Sequence, residues 1–65
     1  MSIGDNIAKY RNEKKLTQVD LADKVGVSRG MIAQLERGTK SLTVQLGKQI
    51  AAVLEIPLDM LIDEG

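Results

Sequence analysis

The chain has 65 residues, 28% of them charged, with nine Lys/Arg balanced by nine Asp/Glu and a single aromatic side chain, Tyr10. A chain this short makes one domain at most, and such a domain buries only about 60% of the surface its unfolded form exposes. With neither Cys nor His, it is denied a disulfide framework, a thiolate metal site, the commonest general base and the commonest zinc ligand.

The apolar periodicity predicts five helices and no strand. The first spans 3–14, with Ile3, Ile7, Tyr10 and Arg11 on one face and Ser2 and Asp5 spaced as a capping pair. The second spans 17–25. Thr17 caps it, Asp20 sits three residues on, Leu21, Ala22 and Val25 form its buried stripe, and Gly26 stops it. The third spans 28–37, capped by Ser28, anchored by Ile32 and Leu35 and ended by Gly38. The fourth follows Thr43 and runs over 44–54, with Val44, Gly47, Ile50, Ala51 and Leu54 on one face. The fifth is a short piece over 57–62, with Pro57 at its first position and Leu58 and Leu61 turned inward. The expected core is Ile7, Leu16, Leu21, Ala22, Val25, Val27, Ile32, Leu35, Ile50, Ala51, Leu54, Ile56, Leu58 and Leu61.

Net charge is zero, yet the charge is unevenly placed. Residues 1–40 carry eight basic and five acidic side chains, an excess of +3, and residues 41–65 carry one and four, an excess of −3. A basic half and an acidic tail suit a protein that turns one face to a polyanion, and they equally suit an ordinary solvated surface. No apolar run approaches the ~20 residues of a membrane span. The start of the chain lacks the basic and apolar regions of a signal peptide. Absence of Cys fits a reducing cytoplasm.

The informative stretch is QVDLADKVGVSRGMIAQL, Gln18 to Leu35. A short helix ends at Gly26, Val27 plugs the turn, and a second capped helix begins two residues later. That is the local recipe of a helix-turn-helix, whose second helix is free to enter a major groove about 12 Å wide. Nearly the whole chain, from LTQVDLADKVGVSRGMIAQLERG through SLTVQLGKQIAAVLEIPLDMLI, resembles the Cro/CI/Xre family of phage-type repressors and bacterial regulators. The resemblance implies an all-α, five-helix, lambda-repressor-like domain that binds double-stranded DNA, usually as a two-fold dimer. No cofactor, metal or small-molecule ligand is expected, and the protein is expected to be cytoplasmic, nucleoid-associated and of bacterial or phage origin.

Carried over position by position, the resemblance puts Arg29, Gly30, Met31 and Gln34 at the base-contact surface. The guanidinium of Arg29 matches guanine O6/N7 and the amide of Gln34 matches adenine N6/N7. Gly30 reads nothing itself and allows close approach of the backbone. Met31 either touches a thymine methyl or fills a gap in the core. Gln18, Ser28, Arg37, Thr39, Lys40 and Ser41 fall at phosphate-contact positions, Ser28 doubling as the cap. For Arg37 and Lys40 the other reading is a solvated loop. Arg11 and Glu36 fall where the family often has an ion pair joining helix 1 to the end of helix 3. Pro57, Met60 and Ile62, together with Leu46, are expected to make an apolar dimer patch, or are scattered surface residues. Gly47 stands where a larger apolar residue is usual, and either admits a close helix contact or weakens helix 4.

The function expected is a transcriptional regulator, repressor or controller, acting on a pseudo-palindromic operator. It would block RNA polymerase or touch it from an adjacent site, with no second domain to act as sensor. An antitoxin-like regulator has the same size. The rival class is a protein-interaction module that keeps the fold without binding DNA, supported by zero net charge and by Gly30. Scarcity of aromatics disfavours a single-strand binder. An enzyme is disfavoured by the missing His and Cys, by the lack of a glycine-rich phosphate loop and by the lack of paired buried carboxylates.

Overall fold

Four helix starts are written into the sequence as hydroxyl side chains, and each is used. In the computed structural model, which describes residues 2–64, helix α1 (Ile3–Glu13) is capped by Ser2, α2 (Gln18–Val25) by Thr17, α3 (Arg29–Arg37) by Ser28 and α4 (Val44–Leu54) by Thr43. Each hydroxyl accepts a backbone N–H three residues on, at 3.0–3.1 Å. At α1 and α2 the bond is reciprocated: Asp5 accepts from the Ser2 N–H and Asp20 from the Thr17 N–H, so both are full capping boxes. Those N–H bonds, followed by the hydroxyl bonds, hold both carboxyls below their ordinary pKa.

Helix α5 (Leu58–Ile62) starts differently. Pro57 was expected inside its first turn, but its ψ of 146° is extended and makes it the N-cap. The helix ends also divide by chemistry. Gly26 and Gly38 take left-handed φ of 88° and 78° after α2 and α3. Lys15 and Glu55 take the same region, φ 59° and 60°, without being glycine. After each of these two, a backbone N–H reaches back five residues, Leu16 to Arg11 and Ile56 to Ala51, closing the helix end.

Among the described residues there is no strand. Helix α1 packs against α3, α5 and α4, α2 against α3 and α4, and α4 against α5. The core they enclose holds Ile7, Leu21, Ala22, Ile32, Leu35, Ile50, Ala51, Leu54 and Leu61. Leu16, Val25, Val27, Ile56 and Leu58, expected in the core, are partly buried against it. Leu46, expected in an exposed patch, also packs there. Its place is corrected from surface to flank of the core.

Three close contacts are set by the packing of the helices. Gly4 is buried, and a Cβ on it would stand 2.4 Å from the Glu36 carbonyl oxygen and 2.6 Å from that of Leu35. The start of α1 therefore lies directly on the end of α3. Asn6, 5% exposed, donates its side-chain amide to the carbonyls of Leu61 and Asp63 at 2.9 and 2.5 Å, tying α5 to α1. Gly47 resolves as a packing glycine: its Cβ would meet Leu58 and Leu42 side chains at 3.2–3.3 Å.

Candidate nucleic-acid interface

Between α2 and α3 lie only Gly26, Val27 and Ser28. The glycine's N–H and that of Val27 both return to the Ala22 carbonyl, at 2.8 and 3.0 Å, and Val27 packs against the core. The turn is thereby pinned at its centre. Helix α3 has Ile32, Ala33 and Leu35 buried, which fixes its rotation about its own axis. The opposite arc carries Arg29, Gly30, Gln34 and Arg37, all exposed. Gly30, Gln34 and Arg37 follow at i, i+4 and i+7, a single stripe along a helix about 13 Å long.

An ion-pair network locks α3 to the first two helices. The Arg11 guanidinium meets Glu36 through two hydrogen bonds, Nε to Oε2 at 2.7 Å and the second terminal nitrogen to Oε1 at 3.2 Å. Both side chains are nearly buried, 12% and 9% exposed. The other terminal nitrogen of Arg11 donates to the Leu16 carbonyl at 2.8 Å. Gln18 joins the network, donating Nε2 to Glu36 Oε1 at 3.0 Å. One carboxylate thus joins α1, the start of α2 and the end of α3. A bidentate, additionally hydrogen-bonded pair of this kind is the geometry in which a buried charge is tolerable.

The network changes how Gln18 reads. The resemblance implies a phosphate contact for it; in the fold its amide nitrogen also donates to Glu36, which orients α2 against α3 and leaves its second N–H to donate outward. No local signal marks this, because Glu36 lies 18 residues away. Thr39 shifts in the same direction. Its N–H and its hydroxyl both donate to the Gln34 carbonyl, at 3.0 and 3.3 Å, so it closes the end of α3. Met31 is half-buried and packs against the core, which is the gap-filling one of its two readings. Ser28 accepts from Met31 N–H and keeps its own O–H to donate. Arg37, Lys40 and Ser41 are exposed beside the end of α3. Among the large apolar side chains, Met60 (44%) and Ile62 (43%) are exposed on α5, and Pro57 is exposed at its start. Val19 is exposed too, and so is Val44, whose place is corrected from the apolar face of α4 to the surface because it stands in the first turn of that helix, beyond the reach of the core.

Carboxylates with lowered pKa are Asp5, Asp20 and Glu55, each at a helix end. A cavity of about 270 Å³ lies between Ser2, Ile3, Gly4, Leu35, Gly38, Lys40, Ser41 and Leu42. No acidic side chain lines it. Among the described residues no three His, Cys, Asp or Glu lie together as a metal site.

Two helices joined by a glycine turn, the second presenting a polar, basic stripe outward, define a helix-turn-helix domain. The chain belongs to the helix-turn-helix family HTH_3, which matches residues 7–61. It is 34% identical over 64 residues to the immunity repressor protein of Bacillus phage phi105, covering 98% of this chain and 44% of that one. It is 33% identical over 63 residues to the transcriptional regulator SinR of Bacillus subtilis, covering 95% of this chain and 57% of SinR. The chain thus spans about half the length of these two relatives. Among solved structures, it is similar to the P22 c2 repressor in complex with a synthetic operator, with TM-score 0.91 and 26% identity over 100% of this chain and 98% of that one. SinR in complex with DNA is similar too, at TM-score 0.89 and 32% identity over 94% and 98% of the two chains.

Proposed function

We propose that this protein is a sequence-specific, double-stranded DNA-binding transcriptional regulator, a repressor or controller rather than an enzyme, that reads a pseudo-palindromic operator as a dimer. The observation that carries this reading is the exposed stripe of α3, held in place by the Arg11–Glu36–Gln18 network and bearing Arg29, Gln34 and Arg37. Similarity to a repressor solved with a synthetic operator and to a regulator solved with DNA supports it. Arg29 reads guanine and Gln34 adenine through paired hydrogen bonds. Ser28, Arg37, Lys40 and Ser41 meet the phosphates, with the amides at the start of α2 beside Gln18, and set the register. Pro57, Met60 and Ile62 form the seam with a second copy, placing the two α3 helices about 34 Å apart in successive major grooves. Among the described residues no helix is long and apolar enough to cross a membrane, and we place the protein in the cytoplasm, on the nucleoid.

The test is selection from a pool of random duplexes followed by sequencing of the bound fraction. The expected result is a two-fold symmetric motif that is lost with Arg29→Ala and whose binding weakens steeply with salt, as release of counterions from the phosphates requires. No enrichment, with no binding even at low salt, refutes the regulator reading and favours a protein-interaction module. A motif without two-fold symmetry refutes the dimer alone.

A further inference from the structure

Four of the described glycines have a reason inside the fold. Gly26 and Gly38 have positive φ, and a Cβ on Gly4 or Gly47 would press on backbone or side chains at 2.4–3.3 Å. Gly30 has neither reason. Its φ is not in the left-handed region, and a Cβ there would meet only the Ser28 hydroxyl, at an ordinary 3.8 Å. It nevertheless sits in the first turn of α3, where glycine is the poorest helix former except proline. It is exposed, and Gln34 stands one turn further along the same stripe. A glycine that weakens its own helix and makes room for nothing within the chain makes room for something outside it.

We infer that Gly30 is a specificity-determining residue: it lets the α3 backbone come into contact with the edge of one base pair in each half-site, an approach that any side chain would block. This rests on the DNA-reading assignment of α3 and deepens it. The group that fits the space left by a missing Cβ is an apolar projection on the groove floor, and the thymine C5-methyl is the one that DNA supplies. Gly30 then reads by shape what Arg29 and Gln34 read by hydrogen bonds. No donor or acceptor is needed at this position.

The experiment compares Gly30→Ala and Gly30→Ser with the unaltered protein on the operator selected by the latter. Stability and recognition should move in opposite directions. Gly30→Ala should raise the melting temperature by about 2–8 °C through loss of backbone entropy in the unfolded chain. It should weaken binding to the selected operator about tenfold. The salt slope should stay the same, because no phosphate contact is touched. Repeating the selection with Gly30→Ala should change the preferred base at one position per half-site, a readout that a purely structural role for Gly30 would not move. A variant that is more stable, binds the operator as well as before and selects the same motif overturns the inference and leaves the DNA-reading assignment standing. Failure of the unaltered protein to select any duplex overturns both.

Discussion

Glu36 bonds to two residues that would lose their partner with it, and this makes its removal the sharpest perturbation available. Glu36→Leu removes the acceptor from Arg11 Nε, from one Arg11 terminal nitrogen and from Gln18 Nε2, bonds of 2.7, 3.2 and 3.0 Å. Arg11 is 12% exposed and keeps bonds to the Leu16 carbonyl and Asn12. A nearly buried guanidinium without its counter-charge should cost about 3 kcal/mol. Arg11→Met leaves the carboxylate without its counter-charge, held only by Gln18, and takes the guanidinium from the Leu16 carbonyl, so it should cost about 3–4 kcal/mol. A domain of this length has only about 3–10 kcal/mol in total. Either single variant should therefore lower the urea midpoint of helix signal by about 3 M, or unfold the protein outright, given a slope near ~1 kcal/mol per M. The double variant removes both charges and fills their space with apolar atoms. It should lie about 3 kcal/mol above the sum of the singles, so that losing both partners costs about as much as losing one. The assay is urea denaturation followed by circular dichroism for all four proteins. Additive losses, or single losses below about 1 kcal/mol as for an exposed pair, would refute the argument that burial makes this pair interdependent.

Other expectations follow from the same geometry. Gly4→Ala should cost about 2–3 kcal/mol, because the carbonyls of Leu35 and Glu36 cannot yield without parting α1 from α3; an unchanged urea midpoint would contradict the contact. Asn6→Leu, close in volume, should cost about 1–3 kcal/mol by removing the buried amide that donates to the Leu61 carbonyl and ties α5 to α1, again read from denaturation. Lys15→Gly should stabilise by about 1 kcal/mol, since the exposed Lys15 holds a left-handed φ of 59°. Glu55→Gly should gain less, because it also breaks the contact with Lys14. For pH the sign is set by lowered carboxyl pKa values. Asp5 and Asp20, held down by the Ser2 and Thr17 N–H groups, and Glu55, held down by Lys14, contribute fully above the ordinary carboxylate range of about 4 and lose that contribution as pH falls through their lower folded values. Thermal melts between about pH 5 and 2 should show stability dropping, with a shallower drop in Asp5→Asn/Asp20→Asn.

What was legible in the sequence is what the chain decides within a few residues. A hydroxyl bonding three residues ahead at Ser2, Thr17, Ser28 and Thr43, a glycine turning left at positions 26 and 38, and apolar side chains repeating every turn are local facts, and they set the five helices and the outward stripe of α3. The tertiary structure decided the rest, because the partners are far apart along the chain. Gly4 meets carbonyls more than thirty residues on, and Asn6 reaches to Leu61 and Asp63 at the other end of the chain. Gln18 donates to a carboxylate on another helix, and Leu46 is turned from surface to the flank of the core by the packing of α4. Lys15 and Glu55 enter a left-handed conformation that no residue type announces, held there by N–H groups reaching back five residues. Sequence spacing carries the energies of neighbours; it does not carry which helix will lie across which. That crossing decides where a missing Cβ is needed for packing, as at Gly4 and Gly47, and where, as at Gly30, nothing inside the protein needs it.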